Sequence, residues 1–146
     1  MDFNENIIEQ FRAMGGRLPG PAEGSALLLL HTRGARSGAA RVNPVTYLPL
    51  AEGWAIFAAH AGADKNPDWF HNLVAHPETI IEVGTETVPV RARIATGEER
   101  AQIWGRQKAF YPRYARYEEM TSREIPVIIL ERMTARRPGS RAIELG

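Results

Sequence analysis

Apolar positions along the chain follow two rhythms. Between residues 4 and 15, Ile7, Ile8, Phe11 and Met14 recur at helical spacing among acidic and amide side chains, and Gly15-Gly16 ends the run. This predicts an amphipathic N-terminal helix, followed by an exposed connection at Pro19, Gly20 and Pro21. Such an apolar stripe packs either on the chain's own core or on a membrane surface, and the first is the expectation here. From Leu27 the rhythm changes. Leu27 to Thr32 predicts a buried strand, Arg33 to Gly38 a loop, and Arg41 to about Leu50 a second strand. Ala51-Glu52-Gly53 is a hairpin turn into a third strand, Trp54 to Ala59. Turns this short cannot make parallel crossovers, so the sheet starts antiparallel.

Gly62 to Pro67 is a loop, and Pro67 opens a short helix, Asp68 to Ala75, stopped by Pro77. Thr79 to Val83 and Thr87 to Ile94 form a hairpin around Gly84. Thr96 followed by Glu99 predicts a capping box for a helix through Ile103, Trp104 and Gln107. Ile125 to Leu130 is a last strand, with Pro126 near its start, where a missing N–H is tolerated. Six strands, mostly consecutive, and three helices predict a mainly β fold with peripheral helices (α+β), a closed or split β-barrel.

The length of 146 residues fits one domain, 1–146, large enough to bury its own core. Within it, 1–20 are the helix and linker, 25–131 the barrel core and 132–146 a tail. That tail carries Arg132, Arg136, Arg137 and Arg141 beside Pro138 and Gly139, and is expected to be solvated. Composition then removes whole classes of function. A net charge of +1 argues against a general nucleic-acid binder. No cysteine means no disulfide, thiol nucleophile or thiolate metal site. The N-terminus lacks a basic and apolar leader, and the longest apolar run, Ala26 to Leu30, is far short of the roughly 20 residues that span a bilayer. A cytoplasmic protein is expected, with peripheral membrane contact through the first helix as the other option.

Three segments offer chemistry. In Thr32-Arg33-Gly34-Ala35-Arg36-Ser37-Gly38-Ala39-Ala40-Arg41, two glycines, a hydroxyl and three guanidinium groups sit between apolar strands. Glycines let amides turn toward an anion, and arginine pairs bidentately with phosphate or carboxylate. The same residues serve equally well as a solvated hairpin loop. In Ala58 to Leu73, small residues leave room for a flat ligand, the helix after Pro67 directs its positive end there, and Lys65 adds a charge. A plain loop with Trp69 and Leu73 in the core accounts for it as well. Tyr111, Tyr114 and Tyr117, three apart, line one side of a helix or turn, as stacking faces with hydroxyl donors or as packing at a seam. His71 and His76 do not share a helix face, no His-Glu-x-x-His occurs, and no metal site is expected. The chain has no Gly-x-Ser-x-Gly elbow either.

As a set the segments resemble the deazaflavin-dependent nitroreductase family of split-barrel flavin and deazaflavin oxidoreductases. The likeness is carried by Arg36-Ser37-Gly38 with Arg41-Val42-Asn43-Pro44, by Gly62 to Phe70 with Asn72-Leu73, and by Tyr111-Pro112 leading to Ile125-Pro126-Val127. It spans residues 25 to 131. The resemblance implies an FMN-binding-like split barrel, paired into a homodimer, that takes coenzyme F420 (8-hydroxy-5-deazaflavin). It implies that Arg36, Ser37, Gly38 and Arg41 hold the cofactor's phosphate and polyglutamate tail. The ring then lies near Ala59, His60, Gly62 and Ala63, with Lys65, Trp69 and Asn72 close by. The implied reaction passes a hydride from the reduced cofactor to a quinone, nitroaromatic or activated enone. Tyr111, Tyr114 and Tyr117 fall on acceptor-pocket positions, and Tyr114 is the candidate for orienting or protonating the acceptor. One departure stands out: some relatives carry Ser-Lys after the third strand, where this chain has His60-Ala61 and one residue fewer. His60 brings an imidazole that can give a hydrogen bond or a proton. Competing readings keep the fold and change the role, to an FMN or haem binder or to a non-catalytic deazaflavin carrier.

Overall fold

The computed structural model describes residues 3–16 and 26–133. The connection at Pro19, Gly20 and Pro21, and the tail arginines Arg136, Arg137 and Arg141, lie outside the described residues. The described residues form six antiparallel strands, β1 (Leu27–Arg33), β2 (Ala40–Leu50), β3 (Gly53–Phe57), β4 (Glu78–Val83), β5 (Glu86–Ile94) and β6 (Val127–Arg132). They close into a barrel in the order β1-β2-β3-β6-β5-β4, which bears out the mainly β class with peripheral helices. Among the described residues four helices surround it: α1 (Phe3–Ala13), α2 (Asp68–Ala75), α3 (Gly97–Phe110) and α4 (Arg113–Met120).

Alternation along the strands divides the apolar side chains into two cores. Leu28, Leu30, Trp54, Ile56, Ile81, Val88, Val90, Ile128 and Leu130 fill the barrel. Leu73 of α2 joins them and Trp69 and Phe70 pack against them, so α2 contributes to the barrel core. The second core lies outside the barrel, where Ala55, Phe57, Val127 and Ile129 meet Ile103 and Trp104 of α3 and Tyr114 of α4. β3 and the first part of β6 are therefore buried on both faces, which is why their sequences are continuously apolar rather than alternating. Where β2 turns into β3, a Cβ on Gly53 would stand 2.2 Å from the Leu130 carbonyl oxygen, so only glycine lets β6 approach there.

The N-terminal helix uses its apolar stripe on the barrel. It lies against β2, with Phe11 buried, while Met14 at its end stays exposed. Burial of a side chain like Phe11 contributes roughly 1.5–3 kcal/mol. A polar latch supplements it. Arg12 donates through Nε and Nη2 to the two oxygens of Glu82 at 3.0 and 2.7 Å, and His31 Nε2 lies 2.7 Å from Glu82 Oε2.

Three local expectations change. The tyrosine segment, left open as helix or turn, takes the helical form and adds a helix to the three expected: α4 carries Tyr114 and Tyr117, while Tyr111 caps the end of α3. Helix α3 does start after Thr96, but no side-chain capping bond forms. Glu99 instead receives both Nη groups of Arg93 at 2.8 Å, a bidentate pair that outcompetes a single bond to a backbone amide. The last strand begins at Val127 rather than Ile125, because Pro126 has no N–H for the ladder; its carbonyl accepts Ala58 N–H at 3.0 Å.

Candidate functional site

The loop between β1 and β2 stands against α2 and forms an open groove of about 630 Å³, bordered by Arg36, Ser37, Arg41, Asp68, His71 and Asn72. Arg41 also borders a second depression of about 310 Å³, together with Arg33 and His76. Arg33, Arg36 and Arg41 are exposed, and among the described residues none of them has a hydrogen-bond or ion-pair partner. Of the other arginines, Arg12, Arg91 and Arg93 hold carboxylates and Arg123 holds carbonyls, whereas the exposed Arg106 and Arg116 on α3 and α4 are unpaired too among the described residues but border neither depression. Only Asp68 among the residues bordering the larger groove is acidic.

The loop's backbone is less open to an anion than its glycines suggest. Gly34 N–H goes to Ala39 O and Gly38 N–H to Gly34 O, at 2.8 and 2.9 Å. Ala39 N–H donates to Ser37 Oγ at 3.1 Å, and Ala35 N–H to Asn72 Oδ1 at 2.9 Å. Three amides are thus spent on the loop's own shape and a fourth on its tie to α2. Side-chain cations are left to attract an anion, along with the Ser37 hydroxyl proton, which an accepting Oγ keeps free. Asn72, buried under the loop, also donates to Thr32 Oγ1 at 3.3 Å. Its amide fixes the groove wall rather than lying open in it.

Ala59 to Asn66 form the second element. His60, Ala61 and Gly62 all adopt left-handed backbone, with φ of 49°, 52° and 83°. Two of these are not glycine, so the turn carries strain of the kind that the surroundings must hold in place. Gly62 packs on Met120 of α4, whose Sδ would lie 2.9 Å from an added Cβ. His60 and Lys65 are exposed, and His60 Nδ1 lies 3.1 Å from the Lys65 carbonyl oxygen. Trp69 is half-buried and leans on the barrel core.

The tyrosines separate by burial. Tyr114 is buried in the outer core, its ring 5.8 Å from that of Phe57 and 6.1 Å from that of Trp104. Desolvation pushes its hydroxyl above the ordinary tyrosine range, against the opposing influence of Thr46, Arg113 and Gln107 nearby. Tyr111 and Tyr117 flank it and are half-buried. The Arg113 guanidinium carbon lies 5.4 Å from the Tyr111 ring centre and 4.9 Å from that of Tyr114, within cation–π range. Tyr114 is thus a packed donor, and Tyr111 and Tyr117 keep an accessible edge.

Several residues of this region carry no signal in the sequence. Tyr47 of β2 is half-buried beside the barrel core, and its hydroxyl is pushed up by desolvation and then by Tyr111. Gln107 is fully buried, and neither of its amide atoms meets a partner at hydrogen-bond geometry. Arg123, in the segment after α4, spans the Ala59–Asn66 loop with three donor nitrogens. Each of these depends on a partner distant in the chain.

The comparisons with known proteins agree with this arrangement. The family model described as F420H(2)-dependent quinone reductase matches residues 5–132. An F420H(2)-dependent quinone reductase of Mycobacterium tuberculosis is 35% identical over 124 residues, covering 82% of this chain and 80% of its own. A solved F420-H2 dependent reductase is 36% identical, with a TM-score of 0.66, covering 72% of this chain and 93% of that one. A structure described as a domain-swapped dimer is 32% identical, with a TM-score of 0.67, covering 87% of this chain and 98% of its own. The match extends from the first helix to the last strand, and the chain belongs to the F420H(2)-dependent quinone reductase family.

Proposed function

We propose that this chain binds reduced coenzyme F420 and passes its hydride to a quinone. The observation that carries this reading is the pair Arg36 and Arg41, two guanidinium groups bordering one groove and ion-paired with no carboxylate among the described residues. The donor set fits the cofactor. A tail bearing phosphodiester and carboxylate groups needs fixed cations rather than neutral amides, and arginine meets such oxygens with paired, charge-assisted hydrogen bonds. In this reading Arg36, Ser37, Gly38 and Arg41 hold the tail. The ring rests beside Ala59, His60, Gly62 and Ala63, with Lys65 and Trp69 at its margin. Asn72 contributes by holding the groove wall.

Bound in its reduced form, F420 supplies a hydride, and a quinone that takes this hydride and one proton leaves as the hydroquinone. The protein's own part is orientation and proton supply. Tyr111 and Tyr117 offer ring faces and hydroxyls to the acceptor, and Tyr114 supports them from below. His60 engages the Lys65 carbonyl through Nδ1, which leaves Nε2 as the nitrogen that can exchange a proton with the site. Nitroaromatic and enone acceptors make the same two-electron demand and belong to the same proposal. The domain-swapped dimer formed by a similar protein supports pairing of this chain. Among the described residues no helix is long and apolar enough to cross a membrane, so contact with a membrane-borne quinone would be peripheral.

The test is anaerobic. Purified protein is mixed with reduced F420, menadione is added, and the return of the oxidised cofactor's visible absorbance is followed. Quinone-dependent oxidation that is lost with Arg36→Ala, with weaker cofactor binding, is the expected result. Binding without oxidation by any acceptor would mark a carrier, and no binding would end the proposal.

A further inference from the structure

The strained loop that the preceding reading gives to the deazaflavin ring is not self-supporting. Inside it, Gly62 N–H bonds Ala59 O at 2.9 Å and Ala63 N–H bonds His60 O at 3.0 Å. These bonds close two tight turns but do not tie the loop to the barrel. Three consecutive left-handed residues, two with a Cβ, would relax toward ordinary backbone unless something outside held them.

One side chain does so. Arg123 donates through Nη2 to Ala59 O at 3.0 Å, through Nε to Ala63 O at 2.9 Å, and through Nη1 to Asn66 Oδ1 at 2.7 Å. Its planar fork therefore meets the loop at its beginning, middle and end. Neighbouring contacts repeat the pattern: Thr121 Oγ1 donates to Asp64 Oδ1 at 3.0 Å, and Met120 packs on Gly62. The segment from Met120 to Arg123 thus grips the loop from one side. It is also the direct continuation of α4, which carries Tyr114 and Tyr117.

We infer that Arg123 is a positioning residue that sets the ring-bearing loop against α4, and so fixes the spacing between hydride donor and acceptor. The inference rests on the assignment of the ring to Ala59–Ala63. Arg123 acts through backbone carbonyls and touches neither reactant. Because the tail groove is built by other residues, loss of Arg123 should alter turnover more than cofactor affinity. Lysine cannot replace it, since one ammonium on a flexible stem cannot span three acceptors as a flat guanidinium does.

Arg123→Ala, Arg123→Lys and Arg123→Gln test this, in two stages. In the protein without cofactor, hydrogen exchange at the Gly62 and Ala63 amides should quicken at least tenfold in all three variants, with the β1, β3 and β6 amides unchanged. In the anaerobic assay, kcat should fall at least tenfold while the dissociation constant of F420 moves less than threefold. Millimolar guanidinium should restore part of kcat to Arg123→Ala, and ethylammonium should not. Unchanged loop exchange, or unchanged kcat, overturns the inference. A general rise in exchange across the strands, with kcat and affinity lost together and no rescue, reduces Arg123 to a stability residue and overturns it too. If wild-type protein fails to bind F420 while its loop exchange still responds to Arg123, the ring assignment has failed, and the clamp's role in hydride transfer fails with it.

Discussion

The carboxamide oxygen of Asn72 accepts the backbone N–H of Ala35 at 2.9 Å, joining helix α2 to the arginine loop across 37 positions of sequence. The same amide donates to Thr32 Oγ1, so one buried side chain ties strand, loop and helix together. Removing it leaves a part-buried N–H and the buried Thr32 hydroxyl short of partners, a loss of about 1–2 kcal/mol. Asn72→Ala is expected to lower the Tm by several degrees, at ~2–4 °C per kcal/mol for a chain of this size. Asn72→Asp keeps the acceptor for Ala35, and the Thr32 hydroxyl can turn to donate to it, so most of the stability should remain. Calorimetry on the two variants decides the matter; an Asn72→Ala protein melting with wild type would show that the amide anchors nothing.

Gly62 answers to two constraints at once. Its φ of 83° disfavours any Cβ, and Met120 occupies the space a Cβ would need. Gly62→Ala should destabilise the protein by about 2 kcal/mol or more, the sum of left-handed strain and crowding. Adding Met120→Ala removes the crowding by Sδ and Cε, but leaves the residue-120 Cβ 3.0 Å away and the backbone strain in place. The double variant should therefore recover part of the loss, read from urea midpoints. Full recovery would mean that the backbone conformation costs nothing.

Gln107 gives the opposite sign. Its amide is enclosed in the outer core without a partner at bonding geometry, and such a group carries a desolvation cost of about 1–3 kcal/mol. Gln107→Leu, close in volume, should raise the Tm by a few degrees. A lower Tm would show that the amide is satisfied in solution, through a bound water or the Tyr114 hydroxyl.

Acid should weaken the latch of α1. The Arg12 hydrogen bonds, more than the His31 contact, hold the Glu82 carboxyl below its ordinary value of 4.5 in the folded chain. Glu82 thus contributes stability at pH values above the unfolded-state value, and that contribution fades as pH falls through it toward the lower folded-state value. Arg12 is half open to water, so the effect is ~1 kcal/mol or less. Glu82→Gln should lower the urea midpoint at neutral pH and flatten its fall between about pH 5 and about pH 3. A variant with the wild-type acid slope would assign that slope to other carboxylates.

Much of the barrel is legible in the chain because strand alternation and turn residues are local signals. β1, β2 and the β4–β5 hairpin fall within a residue or two of where Leu27–Thr32, Arg41–Leu50, Thr79–Val83 and Thr87–Ile94 put them. Helix α4 is less legible, since Arg113-Tyr-Ala-Arg-Tyr-Glu-Glu-Met is polar and follows a proline. Its buried side depends on Phe57 and Trp104, which the sequence keeps far away. The arginine loop shows itself through composition, but the spending of its amides on internal bonds does not. Arg123 is the extreme case. Within Thr-Ser-Arg-Glu it looks like any exposed charge, and its three partners lie 57 to 64 positions earlier.

Phe57 at the end of β3 pairs with Val127 at the start of β6, so two strand segments buried on both faces meet side by side. One hands the chain to the Ala59–Asn66 loop and the other receives it from α4. The rigid frame therefore ends where the variable chemistry begins, and the frame meets that chemistry along a single seam. A chain organised in this way can evolve in parts. On the proposed placement of the acceptor against α4, sequence drift in that helix would retune which acceptors are admitted while the barrel interior stays untouched, provided the residues that stitch the seam are kept. Directed evolution toward new acceptors would do best to diversify Tyr111 to Glu119 and leave Met120 to Pro126 alone.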